Sequence, residues 1–245
     1  MRILLLSDVH ANLVALEAVL KSAKKLAYDK IFCAGDLVGY YPWPNEVVEW
    51  AKGSVDVCVM GNHDAVVAGL VDPATFSGPA RAAISWTDRV LTDRNRRYLS
   101  SLPLKVEFEA FGKNALVHDT PLRPLSMEYV LSPFEAAEIF EKTDYGRVFY
   151  GHTHVPVVFE GSERGVVGLK PEGLFFLKSE NRYLINPGSV GQPRDGVPKA
   201  SFALWDLEED ALYFERVEFD VEKVIRELKA KGLPLELGYR LYEGY

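Results

Sequence analysis

The segment Val55-Asp56-Val57-Cys58-Val59-Met60-Gly61-Asn62-His63-Asp64 places an apolar run directly before a cluster of polar side chains that can bind metals. Two earlier segments have the same form: Arg2 to Ser7 precedes Asp8-Val9-His10, and Lys30 to Ala34 precedes Gly35-Asp36. Short apolar runs bounded by turn residues predict buried strands. Because ligands of open α/β sheets bind at the carboxyl ends of strands, these segments predict a sheet whose polar loops share one edge.

The rest of the chain predicts helices and a second group of strands. The segment after Asn12 and the segment Pro44 to Ala51 have helical spacing and helix-start residues. Residues 65 to 101 predict a helical excursion from the sheet. The remaining predicted elements are a hairpin of Lys105 to Phe108 with Asn114 to His118, a helix from Pro133 to Glu141, a strand from Arg147 to Tyr150, short strands between Val155 and Phe219, and a helix from Val221 to Lys231. This order predicts an α/β (α+β) fold of two packed mixed sheets with flanking helices, in one domain spanning 1–245.

Composition and charge argue against several classes of function. The net charge of −7 argues against a generic binder of nucleic-acid backbones, which needs clustered lysine and arginine. No stretch reaches the roughly 18 apolar residues of a membrane span, and the first apolar run is too short for a signal peptide. Cys33 and Cys58 lie in apolar runs and are expected to be buried free thiols of a cytoplasmic protein. One glutamine and three methionines favour a thermophilic source.

All five histidines lie in short polar motifs that also hold aspartate, asparagine or threonine. Imidazole nitrogens and carboxylate oxygens together suit divalent first-row transition metals. The candidate ligands are Asp8, His10, Asp36, Asn62, His118, His152 and His154. Seven side chains are too many for one four-coordinate ion, and a carboxylate can bridge two ions, so the pattern predicts two ions that share Asp36. Each motif alone is weak, because an isolated Asp-x-His pair is more often a capped turn.

His63 and Asp64 are left outside this ligand set. Two adjacent metal ions clamp a phosphoryl group and make hydroxide available near neutral pH by lowering the pKa of a bridging water. His63, next to Asn62, would be free to protonate the leaving oxygen as a general acid. Asp64 would fix the tautomer or the orientation of the His63 ring.

These motifs, in this order, resemble those of the calcineurin-like metallophosphoesterase superfamily over roughly residues 1 to 200. The loop from Asn186 to Arg194 resembles that of the small bacterial and archaeal phosphodiesterase branch. The resemblance implies a four-layer α-β-β-α sandwich. The mixed nitrogen and oxygen ligands accept ions drawn from Mn, Fe, Zn, Co or Ni. The resemblance implies Asp8, His10, Asp36 and His154 on one ion, and Asp36, Asn62, His118 and His152 on the other. It also implies a catalytic role for His63.

Five further residues are candidates for substrate binding: Tyr40, Trp43, Asp119, Ser189 and Arg194. The aromatic stretch Tyr40 to Trp43 would either stack a base or pack at the rim of the site. Asp119 stands where the superfamily usually has glycine, so its charge would repel dianionic monoesters unless the residue only shapes the turn. Arg194 would grip a phosphate or be a solvated loop charge.

The function predicted from these features is a dinuclear phosphodiesterase acting on small phosphodiesters or nucleotides. A serine/threonine protein phosphatase or a dinucleoside-polyphosphate hydrolase would use the same ligands. A non-catalytic scaffold is disfavoured because every ligand and His63 are kept, and a single structural zinc is disfavoured by the excess of ligands.

Overall fold

The computed structural model describes residues 1–245, which form twelve strands and eight α-helices. The first half contains β1 (Arg2–Leu6), α1 (Leu13–Ala23), β2 (Lys30–Cys33), α2 (Pro44–Ser54), β3 (Val57–Cys58), α3 (Asn62–Val67), α4 (Gly78–Val90), α5 (Asp93–Ser101), β4 (Lys105–Glu109) and β5 (Lys113–Val117). The second half contains α6 (Pro133–Lys142), β6 (Arg147–Phe149), β7 (Val157–Ser162), β8 (Gly165–Leu169), β9 (Gly173–Phe176), β10 (Arg182–Asn186), β11 (Ala200–Asp206), β12 (Ala211–Val217), α7 (Val221–Ala230) and α8 (Glu236–Glu243). None of these helices has the length and apolar character that crossing a bilayer requires.

The strands form two six-stranded mixed sheets. The first sheet has the order β3-β2-β1-β11-β12-β9, and the second has the order β4-β5-β6-β10-β7-β8. β1, β2 and β3 are parallel to one another, as are β5, β6 and β10. The remaining neighbours in both sheets pair in the antiparallel sense.

The side chains of β1 show how the layers are built. Because successive residues of a strand point to opposite faces, Ile3 and Leu5 enter a cluster shared by the two sheets, whereas Leu4 and Leu6 enter one shared with α1 and α2. The other sheet is covered on its outer face by α6, through a separate cluster that includes Ala136. The result is the expected α-β-β-α sandwich, and the predicted fold is confirmed.

The structure departs from the sequence prediction in two places that bear on the site. The third strand is only Val57–Cys58. The Val59 N–H still donates to Cys33 of β2 at 3.1 Å, but the Met60 N–H leaves that neighbour and donates to the Pro103 carbonyl at 2.8 Å. The chain therefore bends before it reaches the polar motif. The second departure is α8, which the sequence analysis did not predict, and which follows α7 after a turn at Gly232. Cys33 and Cys58 are buried and free, as expected.

Candidate metal centre

The polar motifs meet because each follows a parallel strand of one of the two sheets. Asp8 and His10 follow β1, Asp36 follows β2, and Asn62 follows β3. His118 follows β5, and the pair His152 and His154 follows β6. Since the two sheets pack face to face, the carboxyl ends of both sets of parallel strands open onto one cleft. All seven predicted ligands are buried there.

Five of these seven residues have left-handed backbone conformations. The φ angles are 52° for Asp8, 51° for His10, 54° for Asp36, 66° for His152 and 60° for His154. Such conformations are uncommon for residues other than glycine and persist only where the surrounding structure enforces them. Here the loops are held by backbone hydrogen bonds between neighbouring motifs, for example from the N–H of Asp8 to the oxygen of Gly35 at 3.0 Å. The strained loops turn the side chains towards a common point.

A first group of ligand atoms is formed by Asp8, His10 and His154, next to Asp36. The Nε2 atoms of His10 and His154 lie 3.0 Å apart. Asp8 Oδ1 lies 3.8 Å from the first of these nitrogens and 3.4 Å from the second. Asp36 Oδ2 lies 3.5 Å from His10 Nε2, which completes a set of four facing atoms.

A second group of ligand atoms meets the first at the same oxygen of Asp36. Asp36 Oδ2 also lies 3.4 Å from His118 Nε2, and that nitrogen lies 3.0 Å from Asn62 Oδ1. The ring of His152 crosses that of His118 at a centroid distance of 5.0 Å, and its Nε2 faces the Met127 oxygen at 3.2 Å. The other oxygen of Asp36 accepts the backbone N–H of His63 at 2.9 Å. Asp36 Oδ2 is therefore free to face both groups.

The hydrogen bonds behind three of the histidines match what a metal site requires. The Nδ1 atoms of His10, His118 and His154 face the carbonyl oxygens of Val38, Ala34 and Gln192 at 3.2, 2.7 and 2.5 Å. A carbonyl can only accept, so each Nδ1 carries a proton, and each ring in its neutral form presents the lone pair of Nε2 to the cleft. Two such lone pairs 3.0 Å apart, between buried carboxylates, repel one another unless a cation lies among them. The residues present fit a metal ion.

Three of the four candidate ligand histidines are neutral, as this arrangement requires. Burial holds the pKa of His10 and His154 well below the usual value and lowers the pKa of His152 to about 3, so these rings are neutral, as ligands must be. Burial would also lower the pKa of His118, but the adjacent Asp36 carboxylate outweighs it and raises that pKa to about 10. Metal binding at His118 therefore requires release of its proton.

The two buried carboxylates differ in their environment. Burial alone would raise the pKa of Asp36, but the charged His118 ring beside it outweighs burial and holds that pKa well below its ordinary value. Burial raises the pKa of Asp8 to about 7, and the nearby negative charge of Asp36 adds to that rise. Asp36 is thus the carboxylate that stays ionised in the centre of the site.

His63 lies beside the ligand groups but is held differently. Its Nδ1 is buried without a hydrogen-bond partner, and its ring packs on Phe76 at 4.6 Å and on Tyr40 at 4.7 Å. Its side chain also comes within 4.8 Å of the facing atoms of His10 and Asp36. No carbonyl fixes its tautomer, in contrast to the three ligand-type rings. Burial lowers the pKa of His63 to about 4, and a bound anion beside the ring would favour its protonated form.

Asp64 was expected to fix the His63 ring, but its carboxylate does not hydrogen-bond to that imidazole. Its carboxylate accepts the backbone N–H groups of Leu37 at 3.3 Å, Val38 at 3.1 Å and Gly61 at 3.1 Å. The residue is the third of α3, where a carboxylate is well placed to cap the helix start. Asp64 therefore ties the Asp36 loop to the Asn62 loop. Gly61 leaves no room for a side chain between them, since a Cβ atom there would lie 2.1 Å from Asp36 Oδ1.

Asp119 is a loop residue whose carboxylate accepts backbone N–H groups, the geometry expected if the residue shapes the turn. One carboxylate oxygen accepts the N–H groups of Thr120 at 2.8 Å and Leu125 at 3.2 Å, and the other accepts that of Met127 at 2.8 Å. Leu125 and Met127 both have positive φ, at 68° and 61°. The carboxylate thus stabilises an unusual turn that carries the Met127 carbonyl to His152.

We expect Asp119→Gly to lower the free energy of unfolding by about 1–3 kcal/mol, because three backbone N–H groups lose their acceptor. The ratio of monoesterase to diesterase activity should stay within about 2-fold of the wild type, since the carboxylate faces the backbone and not the reaction centre. Thermal unfolding and paired assays on nitrophenyl monoester and diester substrates test this. Asp119→Asn, which keeps one acceptor oxygen, should lose less stability. A several-fold rise in the ratio of monoesterase to diesterase activity would show that the Asp119 carboxylate repels dianionic monoesters.

The other candidate substrate residues separate into two groups. Tyr40 and Arg194 line the cavity beside the ligands, and Arg194 Nη2 donates to the Tyr40 hydroxyl at 2.9 Å. Trp43 packs into an apolar cluster behind the cavity instead. Ser189 is buried, donates to the Asp8 carbonyl at 2.8 Å and accepts the Gln192 N–H at 2.7 Å. Trp43 and Ser189 therefore do not line the cavity.

The cavity over the ligands has a volume of about 720 Å³ and includes residues that the sequence analysis did not single out. Phe76 lies against His63 on one side, and Tyr129 stacks on His152 at 4.3 Å on the other. Arg240 and Tyr245 reach the same cavity from the end of the chain. No local sequence signal marks these residues, because each is brought to the cavity by long-range packing.

The fold and the two facing groups of ligands define a metallophosphoesterase. Residues 1–210 match the calcineurin-like phosphoesterase superfamily domain, and the chain belongs to this superfamily of metal-dependent phosphoric ester hydrolases. The predicted family and enzyme class are confirmed.

Individual relatives cover nearly the whole chain. An uncharacterized protein of Methanocaldococcus jannaschii, MJ0912, is 41% identical over 243 residues, which is 99% of this chain and 98% of that protein. The crystal structure of a metallophosphoesterase from Sphaerobacter thermophilus is similar over 100% of this chain and 99% of that chain, with 39% identity and a TM-score of 0.88. A hypothetical protein of Pyrococcus horikoshii, PH1004, has the same fold at 24% identity and a TM-score of 0.82, over 100% of this chain and 98% of that chain.

Proposed function

We propose that this protein is a dinuclear phosphodiesterase that acts on small phosphodiesters or nucleotides. One observation carries the proposal: a single oxygen, Asp36 Oδ2, lies 3.5 Å from His10 Nε2 and 3.4 Å from His118 Nε2. Each nitrogen belongs to a separate group of ligand atoms. A shared carboxylate oxygen between two such groups is what a pair of ions requires.

The ligand assignment follows from the two groups. Asp8, His10, Asp36 and His154 would hold one ion, and Asp36, Asn62, His118 and His152 would hold the other. For His152, Nε2 is occupied by the Met127 carbonyl oxygen at 3.2 Å, so Nδ1 is the nitrogen left for an ion. Nitrogen and oxygen ligands of this kind accept Mn, Fe, Co, Ni or Zn.

Bound ions would supply a nucleophile at neutral pH and neutralise charge on the phosphoryl oxygens. The protein side chains orient the substrate around them. His63 lines the cavity, and its Nδ1 has no hydrogen-bond partner that would fix the tautomer. We assign it the role of the general acid that donates a proton to the leaving oxygen. Asp64 acts on His63 only through the backbone, by holding the start of α3.

The walls of the cavity favour a diester over a monoester. Phe76 and Tyr40 flank His63, whereas Tyr129 and Met127 flank His152 on the other side of the ligand groups. A diester carries a substituent on each side of the phosphorus and can contact both walls. A phosphoserine side chain of a folded protein would use neither aromatic wall fully.

We also place the protein in the cytoplasm, supported by its two buried free cysteines.

A dinucleoside polyphosphate is the second candidate substrate. It is favoured by a specific observation, the two arginines Arg194 and Arg240 that line the cavity in addition to the metal ligands. Such a substrate has two bases and several phosphates, and it would also occupy both walls.

The direct test is a substrate panel assayed with metal-stripped protein to which each of the five ions is added back. We expect hydrolysis of bis(4-nitrophenyl) phosphate to exceed that of 4-nitrophenyl phosphate. The panel should include nucleotide diesters, a dinucleoside polyphosphate and a phosphoserine peptide. Efficient turnover of the phosphopeptide alone, or no turnover with any ion, would contradict the proposal.

Tyr40 and Trp43 offer a matched pair of substitutions. We expect Tyr40→Ala to raise KM for a nucleotide diester by about 5- to 10-fold, because stacking of a base on an aromatic ring contributes about 1–3 kcal/mol. Trp43→Ala should leave KM unchanged and lower the free energy of unfolding by about 2–4 kcal/mol, because a large side chain leaves a cavity in its cluster. Kinetics and denaturant unfolding measure both effects. Equal effects of the two substitutions on KM would show that Tyr40 is only packing.

A further inference from the structure

The last two helices lie outside the residues that match the superfamily, which end at 210. They are nevertheless packed onto the active-site side of the molecule. Leu237 and Leu241 of α8 are buried in one cluster with Tyr41 and with Ala83 of α4. This packing carries the end of the chain to the cavity, where Arg240 and Tyr245 form part of the lining.

A buried chain of hydrogen bonds connects α8 to Arg194. The Tyr41 hydroxyl donates to the Leu237 carbonyl at 3.0 Å, and Gln192 Nε2 donates to that hydroxyl at 3.0 Å. Gln192 Oε1 in turn accepts from Arg194 Nη2 at 2.8 Å and from Arg194 Nε at 3.2 Å. The guanidinium of Arg194 is therefore oriented by the same contacts that hold α8 in place.

The end of the chain is also fixed to the loop that follows Arg194. The Gly196 N–H donates to the Gly244 carbonyl at 2.9 Å. Gly244 has a φ of +67°, and a Cβ atom there would lie 2.7 Å from the backbone of Val197. Only glycine fits this close approach, so the position of the tail beside the Arg194 loop is specific.

Both arginines at this wall lack an acidic partner. Other arginines of the protein form ion pairs, such as Arg216 with Asp195 and Arg147 with Asp210. Neither Arg194 nor Arg240 has a carboxylate within the 4.0 Å of a salt bridge. Arg194 donates only to neutral oxygens of Tyr40 and Gln192, and Arg240 lies 5.9 Å from the Tyr245 ring centre. Two unpaired guanidinium groups that line one cavity attract an anion.

We infer that Arg194 and Arg240 form a subsite for a second phosphate group of the substrate, distinct from the phosphorus at the metal centre. The inference rests on the proposed function and narrows its substrate class to nucleotides that carry a further phosphate. The subsite lies in the same cavity as His63 and Asp36, whose volume of about 720 Å³ suits a nucleotide. Tyr245, next to Arg240, offers an exposed ring for the base or sugar.

Two substrates that differ by one phosphate test the subsite. Thymidine 5′-(4-nitrophenyl phosphate) and its 3′-phosphorylated counterpart release the same nitrophenolate. Arg240→Gln removes one of the two charges at a partly buried position. Arg226→Gln is the matched control, since Arg226 lies on α7, has a side chain that is 64% exposed and pairs only with Asp220 at 3.8 Å.

We expect the wild type to hydrolyse the 3′-phosphorylated substrate with a kcat/KM about 10-fold higher, a difference of about 1.4 kcal/mol. Arg240→Gln should remove most of that preference and change kcat/KM for the other substrate by less than about 2-fold. Arg226→Gln should leave both values unchanged. Absence of a preference in the wild type, or an equal loss on both substrates in Arg240→Gln, would overturn the inference.

Binding measured by calorimetry separates this inference from the proposed function. The probes are thymidine 3′,5′-bisphosphate and thymidine 5′-monophosphate, each titrated into wild type, Arg240→Gln and Arg226→Gln. If neither nitrophenyl ester is hydrolysed, the proposed function fails. Tighter binding of the bisphosphate that is lost only in Arg240→Gln would still establish the subsite. Equal binding of the two probes by the wild type would overturn it, whatever the activity.

Discussion

Asp36→Asn is expected to lower turnover by on the order of 10⁴-fold, because loss of the shared carboxylate removes several kcal/mol of charge stabilisation from both ions. Asp36 Oδ2 is the one oxygen that faces both His10 and His118. A neutral amide at that point cannot bridge two cations. Metal content should fall from two ions per chain to one or none, and it can be measured by elemental analysis alongside the kinetics.

Asp64→Asn is the matched control for this substitution. Asp64 is equally buried and also loses a carboxylate, but its oxygens accept backbone N–H groups and do not face the ligand atoms. We expect the control to lower the free energy of unfolding by about 1–3 kcal/mol while both ions still bind. If Asp36→Asn retains two ions and most of its activity, Asp36 is not the bridge.

His63→Gln is expected to slow turnover by about 10²–10⁴-fold, the usual contribution of a positioned general acid, while both ions stay bound. The loss should be smaller for nitrophenyl esters, whose leaving group needs little protonation, than for alkyl or nucleoside esters. His63 lines the cavity, and no carbonyl fixes its Nδ1, in contrast to His10, His118 and His154. Steady-state kinetics on a series of diesters with leaving groups of different pKa measures the dependence.

Two outcomes would change the role of His63. Equal losses for good and poor leaving groups would indicate that the ring only binds substrate. Loss of an ion from the His63→Gln variant would instead indicate that His63 is a metal ligand. Its facing atom lies within 4.8 Å of those of His10 and Asp36, so the metal content of this variant should be measured. Phe76→Leu provides a control, since it removes the ring that packs on His63 at 4.6 Å and leaves the imidazole in place.

The fold and the approach of the seven ligand-type residues could be predicted from sequence for a physical reason. An apolar run that ends in Asp8, Asp36 or Asn62 exposes polar groups where packing does not need them. Parallel strands bring such ends to one edge. The absence of any histidine outside these motifs made the pattern specific.

What could not be predicted depends on contacts between distant parts of the chain. Asp119 could face the substrate or the backbone, and only the turn at Leu125 and Met127 shows that it faces the backbone. Asp64 similarly bonds to the loop after Asp36, 27 residues away, and not to its neighbour His63. The helix α8 carries Arg240 to the cavity through its contact with Tyr41. No local sequence pattern predicts this contact.

Anomalous diffraction from crystals of the metal-loaded protein tests whether two ions share one oxygen of Asp36. We expect two anomalous peaks about 3.5–4 Å apart, with Asp36 Oδ2 between them. His10 and His154 should lie at one peak, and His118 and Asn62 at the other. A fully loaded protein with a single tetrahedral ion, or with two ions that do not share Asp36, would show that Asp36 is not a bridge between two metals.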